Sequence, residues 1–406
     1  MSVDFELTPQ QSQVRQFLHQ FAKSVVRPLS LQADREHKIP EDFLLRLASM
    51  QGTMQAGEIP AEYGGEGEGV GEIKDKRGKS QSNRFAMIGA EEMAWGDVSV
   101  LMNLPGPGLG GPPVRFMGTP EQKKRFFGLF KQPGLHYGAY GLTEPGAGSD
   151  VSGIRSSCRK DGDHWILNGR KCFITNGGKA DWVVIFATVD PSLGRAGHRA
   201  FVVEKGTPGF ICGKIEEKMG LRASETAELV LEDCRVPTEN LLGGEEHYRG
   251  KEGFMGAMKT FDSSRPMVGA LAVGIARAAY EYARDFVKDN YCLGRPIARY
   301  HQIASMLADD ARLCDAARLM CWRAAWMADE GIPNAKEASM AKAYAAKAAM
   351  RICTDAVQIL GAHGLEKHQF VEKWYRDIKV FDIFEGTGQI QRIVISKRIL
   401  REPPNF

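Results

Sequence analysis

From Thr8 to about Gln132 the apolar positions recur three and four residues apart, the helical period. Val14, Phe17, Leu18, Phe21 and Val25 form one such series, and Thr8 with Gln11 three residues on predicts a capping box ahead of it. Further helices are expected over Pro40–Met50, Arg84–Trp95 and Pro120–Phe130, with an exposed loop over Gly64–Asn83, a stretch rich in Gly, Glu, Lys and Ser. From about Tyr137 to Leu242 the period shortens. Runs rich in aromatic and β-branched residues (His164–Leu167, Trp182–Val189, Ala200–Val203, Ala227–Leu231) alternate with the turns Asp161-Gly162, Asn168-Gly169 and Pro208-Gly209. No long helices separate these runs, so an antiparallel barrel or sandwich is predicted. After Gly253 only Pro266, Pro296 and Pro333 interrupt the chain before Pro403, which leaves room for three or four helices of about 25–35 residues, a bundle. Ala338, Ala341, Ala345, Ala348, Ile352, Ala356 and Ile359 supply a stripe of mostly small residues for close packing. The pattern therefore predicts an α+β multidomain chain. A helical N-terminal domain (1–135) precedes a middle antiparallel β-barrel or sandwich domain (136–245) and a C-terminal four-helix bundle (246–406).

Composition narrows the function classes. Of 406 residues, 43% are hydrophobic and 25% charged, enough for large cores. Lys and Arg exceed Asp and Glu only by 53 to 50, which points away from nucleic acid and from membrane surfaces as partners. Charge-free stretches are too short, or in Val98–Val114 too proline-rich, to span a membrane. Asp4 and Glu6 sit where a secretory signal would be basic and then apolar, so none is expected. Eight scattered cysteines without a CxxC pair read as reduced thiols of a cytoplasmic enzyme, with no metal site.

Two glycine-rich strings invite chemistry. Gly106-Pro107-Gly108-Leu109-Gly110-Gly111 fits the letters of GxGxxG, yet it lies among prolines and lacks the strand-then-helix context of a dinucleotide site, so a loop leaving room beside a ligand is the better reading. Tyr140-Gly141-Leu142-Thr143-Glu144-Pro145-Gly146-Ala147-Gly148-Ser149-Asp150 can turn backbone N–H groups and two hydroxyls toward one polar or anionic ligand. This second string resembles the first signature of the acyl-CoA dehydrogenase family. Asn168–Gly177, Glu204–Phe210, Phe261–Pro266 and Phe384–Arg392 resemble further family segments in the same order, so the resemblance covers nearly the whole chain.

The resemblance implies FAD as cofactor. It places Tyr140, Leu142, Thr143, Gly148 and Ser149 against the flavin and its phosphates, Phe173 and Ile174 beside the ring, and the Thr175 hydroxyl near N5. Gln358, Gly361 and Ala362 fall in the segment that holds FAD from a neighbouring subunit, and Gly386, Thr387 and Gln389 in the one that meets its pyrophosphate and adenine. Glu385 is expected to be the catalytic base. It would take the proton α to a thioester while the β hydride passes to the flavin, a step that calls for a water-poor pocket and a polarised thioester oxygen. Ser149, Asp262, Ser264 and Arg265 are expected to border the acyl-CoA substrate. Ser264 stands where one subgroup carries its base, so this chain resembles the medium- and short-chain arrangement. The resemblance further implies trans-2-enoyl-CoA as product, an electron-transfer flavoprotein as partner, a role in fatty-acid β-oxidation and a homotetramer.

Two stretches depart from the family pattern. In Asn290-Tyr291-Cys292-Leu293-Gly294 an asparagine replaces the usual arginine and a leucine the usual phenylalanine, and His301 replaces a glutamine; weaker FAD binding is the expectation. Gly64–Asn83 is longer than usual and Leu104–Pro113 is rich in Pro and Gly, either a small-residue wall of the acyl pocket or a rigid surface loop. A flavin monooxygenase or nitroalkane-oxidase-like relative is the alternative enzyme, and a catalytically weak partner subunit of a mixed tetramer the alternative class.

Overall fold

The computed structural model describes residues 5–50, 78–248 and 255–401, without the side chains of 49, 50 and 255–263. Residues 64–77 of the expected loop lie outside that set. The chain opens on α1 (Pro9–Phe21), where Thr8 and Gln11 close the expected capping box: the Thr8 hydroxyl accepts from Gln11 N at 3.2 Å and the Gln11 side chain accepts from Thr8 N at 3.0 Å. A π-helical turn (Ala22–Val26) leads into α2 (Arg27–Glu36). The expected stripe on α1 is only partly the inward face, for Phe17 is 61% exposed whereas Leu18, Ala22 and Val26 are buried. The wider π turn carries one more residue than an α turn, so Val26 and not Val25 reaches the core.

Helices α3 (Glu41–Met50), α4 (Ser82–Met102), α5 (Gly111–Met117) and α6 (Pro120–Gly128) complete this part. α4 runs seven residues past its expected end because it restarts at Asp97. That residue leaves the helical conformation (φ −164°, ψ 120°), and its Oδ1 accepts from Ser99 N at 2.7 Å as a cap does. The GxGxxG letters follow α4, not a strand. Gly106 exchanges 2.8 Å backbone bonds with His136 and Gly138, and a Cβ on Gly110 would lie 2.5 Å from the Ala139 carbonyl. Close packing against the next strand is what these glycines provide.

Seven strands make one sheet: β1 (Gly138–Gly141), β2 (Ser157–Asp161), β3 (His164–Thr175), β4 (Trp182–Thr188), β5 (His198–Glu204), β6 (Phe210–Ile215) and β7 (Thr226–Pro237). The order is β1-β4-β2-β3-β7-β6, with β5 also on β4. Most pairs are antiparallel, but β1 runs parallel to β4 from Gly138↔Trp182 to Gly141↔Ile185, and β2 touches β4 in parallel at Ser157↔Thr188. The expected antiparallel sheet thus forms with these two parallel contacts inside it. The β2–β3 hairpin serves as the crossover that a parallel pair requires, in place of a helix. Every residue of β4 is buried. Val183 and Ile185 face a core with Trp165, Phe201 and Leu229, while Trp182, Val184 and Phe186 face one closed by Val114 of α5 and by Phe126 and Phe127 of α6.

The last third holds α7 (Met255–Asp289), a two-residue-per-strand hairpin of β8 (Tyr291–Cys292) and β9 (Arg295–Pro296), α8 (His301–Asp329), α9 (Ala335–Leu360), α10 (Phe370–Ile378) and α11 (Gly388–Ile399). Three long helices form, within the expected three or four, and the two short helices α10 and α11 follow them. α4 enters the same core: Met87, Ala90, Ala94, Trp95 and Val98 cluster with Val268, Leu271 and Ile275 of α7 and with the buried alanines of α9. A Cβ at Gly274 would sit 2.3 Å from the Glu91 carbonyl, so α7 and α4 touch backbone to backbone there. Buried ion pairs tie α4 to α7 and to α10. Arg277 bonds Glu91 at 2.6 Å, and Lys373 lies 2.9 Å from Asp97 and 2.5 Å from Asp377. No described helix is long and apolar enough to cross a membrane.

Candidate active site

The chain leaves α10, makes a short turn (Lys379–Asp382) and reaches Glu385-Gly386 just before α11. Both residues are left-handed, with φ +56° at Glu385 and +87° at Gly386. A non-glycine residue pays roughly 1–2 kcal/mol for that conformation, so the surroundings must impose it. Three groups do. The fully buried Gln391 donates from Nε2 to the carbonyls of Glu385 (3.2 Å) and Gly386 (2.9 Å). The fully buried Lys342 of α9 donates from Nζ to the Gly386 carbonyl at 2.7 Å. Thr387 caps α11 through its hydroxyl, which accepts from Ile390 N at 3.3 Å.

The half-buried Glu385 side chain turns toward α7, where its Oε2 accepts from the Ser264 hydroxyl at 2.8 Å. Burial raises the carboxyl above the usual glutamate range; the Ser264 bond and the charges of Lys342 and Arg265 oppose that rise without cancelling it. Ser264 and Arg265 are themselves 8% and 6% exposed, so this corner holds little water. Tyr140, near the end of β1, is held protonated by burial and by the field of Glu385, which brings the second glycine-rich string, Tyr140–Asp150, to the same site.

That string is pinned from below. Lys171 of β3, fully buried, donates to Glu144 Oε1 at 2.6 Å and to the Leu142 carbonyl at 3.3 Å. Glu144 also accepts from Arg155 N (2.6 Å) and Ser156 N (3.0 Å), and Cys172 N donates to the Thr143 carbonyl at 3.0 Å. Burial alone would raise the Glu144 carboxyl, but the Lys171 ammonium and these donors hold it below its ordinary value. Gly146 and Gly148 have open space where a Cβ would be, and Ser149 is exposed. Next to the loop, the β3–β7 ladder breaks register between Lys171 and Ile174. In that bulge Phe173 takes φ +56° and turns outward, 63% exposed, while Thr175 stays half-buried at the strand end.

Profiles of three consecutive domains match the chain: "Acyl-CoA dehydrogenase, N-terminal domain" over residues 8–129, the "middle domain" over 139–234 and the "C-terminal domain" over 251–400. The chain belongs to the acyl-CoA dehydrogenase family. It is 38% identical over 401 residues to the short-chain-specific acyl-CoA dehydrogenase of Clostridium acetobutylicum, spanning 98% of this chain and 100% of the relative. It is 38% identical to the acryloyl-CoA reductase (NADH) of Anaerotignum propionicum, over 98% and 96% of the two chains. The solved butyryl-CoA dehydrogenase of Megasphaera elsdenii superposes with a TM-score of 0.87 at 37% identity, covering 98% of this chain and all of that one.

The site residues that the family resemblance implied fall into two groups. Tyr140, Thr143, Phe173, Ser264, Arg265, Glu385, Gly386 and Thr387 lie on the elements just described. Leu142 and Ile174 belong to the same segments, but their side chains are buried in the two sheet cores, leaving only their backbone for a ligand. Gln389 is exposed on the first turn of α11, and the side chain of Asp262 lies outside the described residues. Gln358, Gly361 and Ala362 form the second group. They are exposed at the far end of α9, sixteen residues beyond Lys342, about 24 Å along the helix, so this chain does not bring them to its own Glu385. Asn290, in the arginine's place, is used locally: its Nδ2 donates to the Phe286 carbonyl at 2.8 Å and finishes α7. Lys342 and Gln391 received no role from sequence. A lysine inside the alanine stripe of α9 is the visible signal for the first; Gln391 stands in the family-like segment Phe384–Arg392.

Proposed function

We propose that the protein is an FAD-dependent dehydrogenase of acyl-CoA thioesters, with Glu385 as the base that removes the α proton. The observation that carries this reading is Glu385 itself. A carboxylate whose pKa burial raises, with one oxygen bonded to Ser264 and the neighbouring Gly386 free of a side chain, is what a weakly acidic C–H requires at neutral pH. The chain's residues also fit the cofactor: a strand bulge presents the uncovered ring of Phe173, with Thr143 and Thr175 on adjoining backbone and open glycines at 146 and 148. FAD, when bound, supplies the acceptor for the β hydride. Glu385 takes the α proton onto its carboxylate, and the substrate leaves as the trans-2-enoyl thioester. Ser264 orients the carboxylate; Arg265, beside it, holds positive charge near the developing enolate. The names of the relatives favour a short acyl chain. An electron-transfer flavoprotein as acceptor, a cytoplasmic setting and a homotetramer, in which Gln358, Gly361 and Ala362 serve the neighbour's FAD, complete the proposal. The reductase among the relatives supports a second reading, in which the same Glu385 returns a proton to an enoyl-CoA.

The test is an anaerobic titration of the FAD-loaded protein with straight, branched and cyclic acyl-CoA thioesters, followed by flavin absorbance. Bleaching by a short-chain thioester is the expected result. Bound flavin that no thioester bleaches, together with rapid oxygen consumption, would transfer the assignment to the monooxygenase-like alternative; a chain that binds no flavin would transfer it to a partner subunit.

A further inference from the structure

We propose that Lys342 is a positioning residue for Glu385: its buried ammonium fixes the Glu385–Gly386 turn through the Gly386 carbonyl and sets the field in which the carboxylate takes up its proton. The inference rests on the reading of Glu385 as base and concerns how that base is held. Lys342 is fully buried in α9, beside the apolar Ala338, Ala341, Ala345 and Ala346 and the buried Ser339. Burying an ammonium is costly unless its charge is used. Among the described residues no carboxylate oxygen lies within 4.0 Å of it, and its hydrogen bond goes instead to a backbone carbonyl, that of Gly386 at 2.7 Å. An apolar side chain of the same length would fill this space without that cost, so a core-packing role leaves the charge unexplained.

The surrounding charges say what it acts on. Asp382 and Glu385, both on the segment leading to α11, attract the ammonium, and Arg265 of α7 repels it; burial outweighs these and brings Lys342 down to about 8. In turn Lys342 stabilises the ionised Glu385. The same ammonium thus does two things. Together with Gln391 it saturates the Gly386 carbonyl, which keeps the two left-handed residues from relaxing. It also offsets part of the burial that would otherwise leave Glu385 protonated before substrate arrives.

The test compares Lys342→Met and Lys342→Gln with wild type in the FAD-loaded protein. Two quantities are read: the rate of flavin reduction by the best thioester across pH, and the titration of the Glu385 carboxyl without substrate. The second uses the infrared band of the protonated carboxyl, assigned by its loss in Glu385→Gln. Lys342→Met is expected to raise the Glu385 midpoint by about one pH unit and to slow reduction at neutral pH roughly 10-fold. Lys342→Gln, which can still donate to the carbonyl, is expected to keep the raised midpoint but to recover the rate once pH exceeds that midpoint, where Lys342→Met stays slow. A wild-type midpoint in Lys342→Met overturns the proposal; if that variant does not hold FAD, a wild-type midpoint in Lys342→Gln does so. Because the infrared titration needs no turnover, a wild-type protein inert to every thioester would sink the base assignment while the coupling of Lys342 to Glu385 is still scored.

Discussion

Replacing Lys171 with Met removes the ammonium under the Thr143–Ser149 loop and leaves Glu144, 7% exposed, without a counter-charge. Breaking one side of a buried pair costs about 3–5 kcal/mol, because the remaining charge stays desolvated. Two features place this site near the lower end. Glu144 keeps its two backbone donors, Arg155 N and Ser156 N, and Met fills most of the lysine's volume. The expected loss is therefore about 3 kcal/mol, read as a lower urea midpoint by far-ultraviolet circular dichroism at neutral pH. Neutralising both partners, Lys171→Met with Glu144→Gln, removes the stranded charge and is expected to recover most of it. The pH dependence has a definite sign. Glu144 is held below its ordinary value in the folded chain, so its contribution is present above the usual glutamate range and is lost as pH falls through the folded value. Lys171→Met should accordingly lose less stability on acidification than wild type. The reasoning fails if the single variant lies within about 1 kcal/mol of wild type, the range of an exposed pair, or if the double variant is no more stable than the single.

Glu385→Gln keeps the size and the Ser264 contact but cannot accept a proton, so it should retain FAD while flavin reduction falls at least roughly 100-fold; stopped-flow reduction at the wild-type rate would refute the assignment. Asp310 on α8 is fully buried beside Asp355 of α9, and burial first, then the Asp355 charge, pushes its carboxyl up to about 8. Its contribution is present at acid pH and lost as pH rises through about 8, so the urea midpoint should fall over that interval in wild type and less steeply in Asp310→Asn; equal slopes would argue against a buried proton there. Asn290→Arg gives up the Phe286 cap but offers a guanidinium to phosphate, and FAD retention on dilution should improve about 10- to 100-fold; unchanged retention would show that this departure does not limit binding.

Much of this molecule is written locally. The capping box at Thr8, the strand runs around Trp182 and Ala200, and the alanine stripe of α9 act over a few residues, so their spacing alone predicts the elements that form. Glu385 was legible in the same way, because the Glu-Gly-Thr string is contiguous. What surrounds it was not. Lys342 meets Gly386 across 44 residues, Ser264 meets Glu385 across 121, and Lys171 reaches Glu144 across 27. A periodicity cannot report which buried lysine points at which carbonyl. The restart of α4 at Asp97, the parallel run of β1 on β4 and the bulge that turns Phe173 outward escaped for a related reason. Each is a conformation that local preference disfavours and that packing from distant elements imposes. The sequence by itself determined the order of the elements and the family, and singled out Glu385; only the tertiary structure decided how that carboxylate is oriented, desolvated and charged, because desolvation and long-range hydrogen bonds exist only once the helices and the sheet have come together.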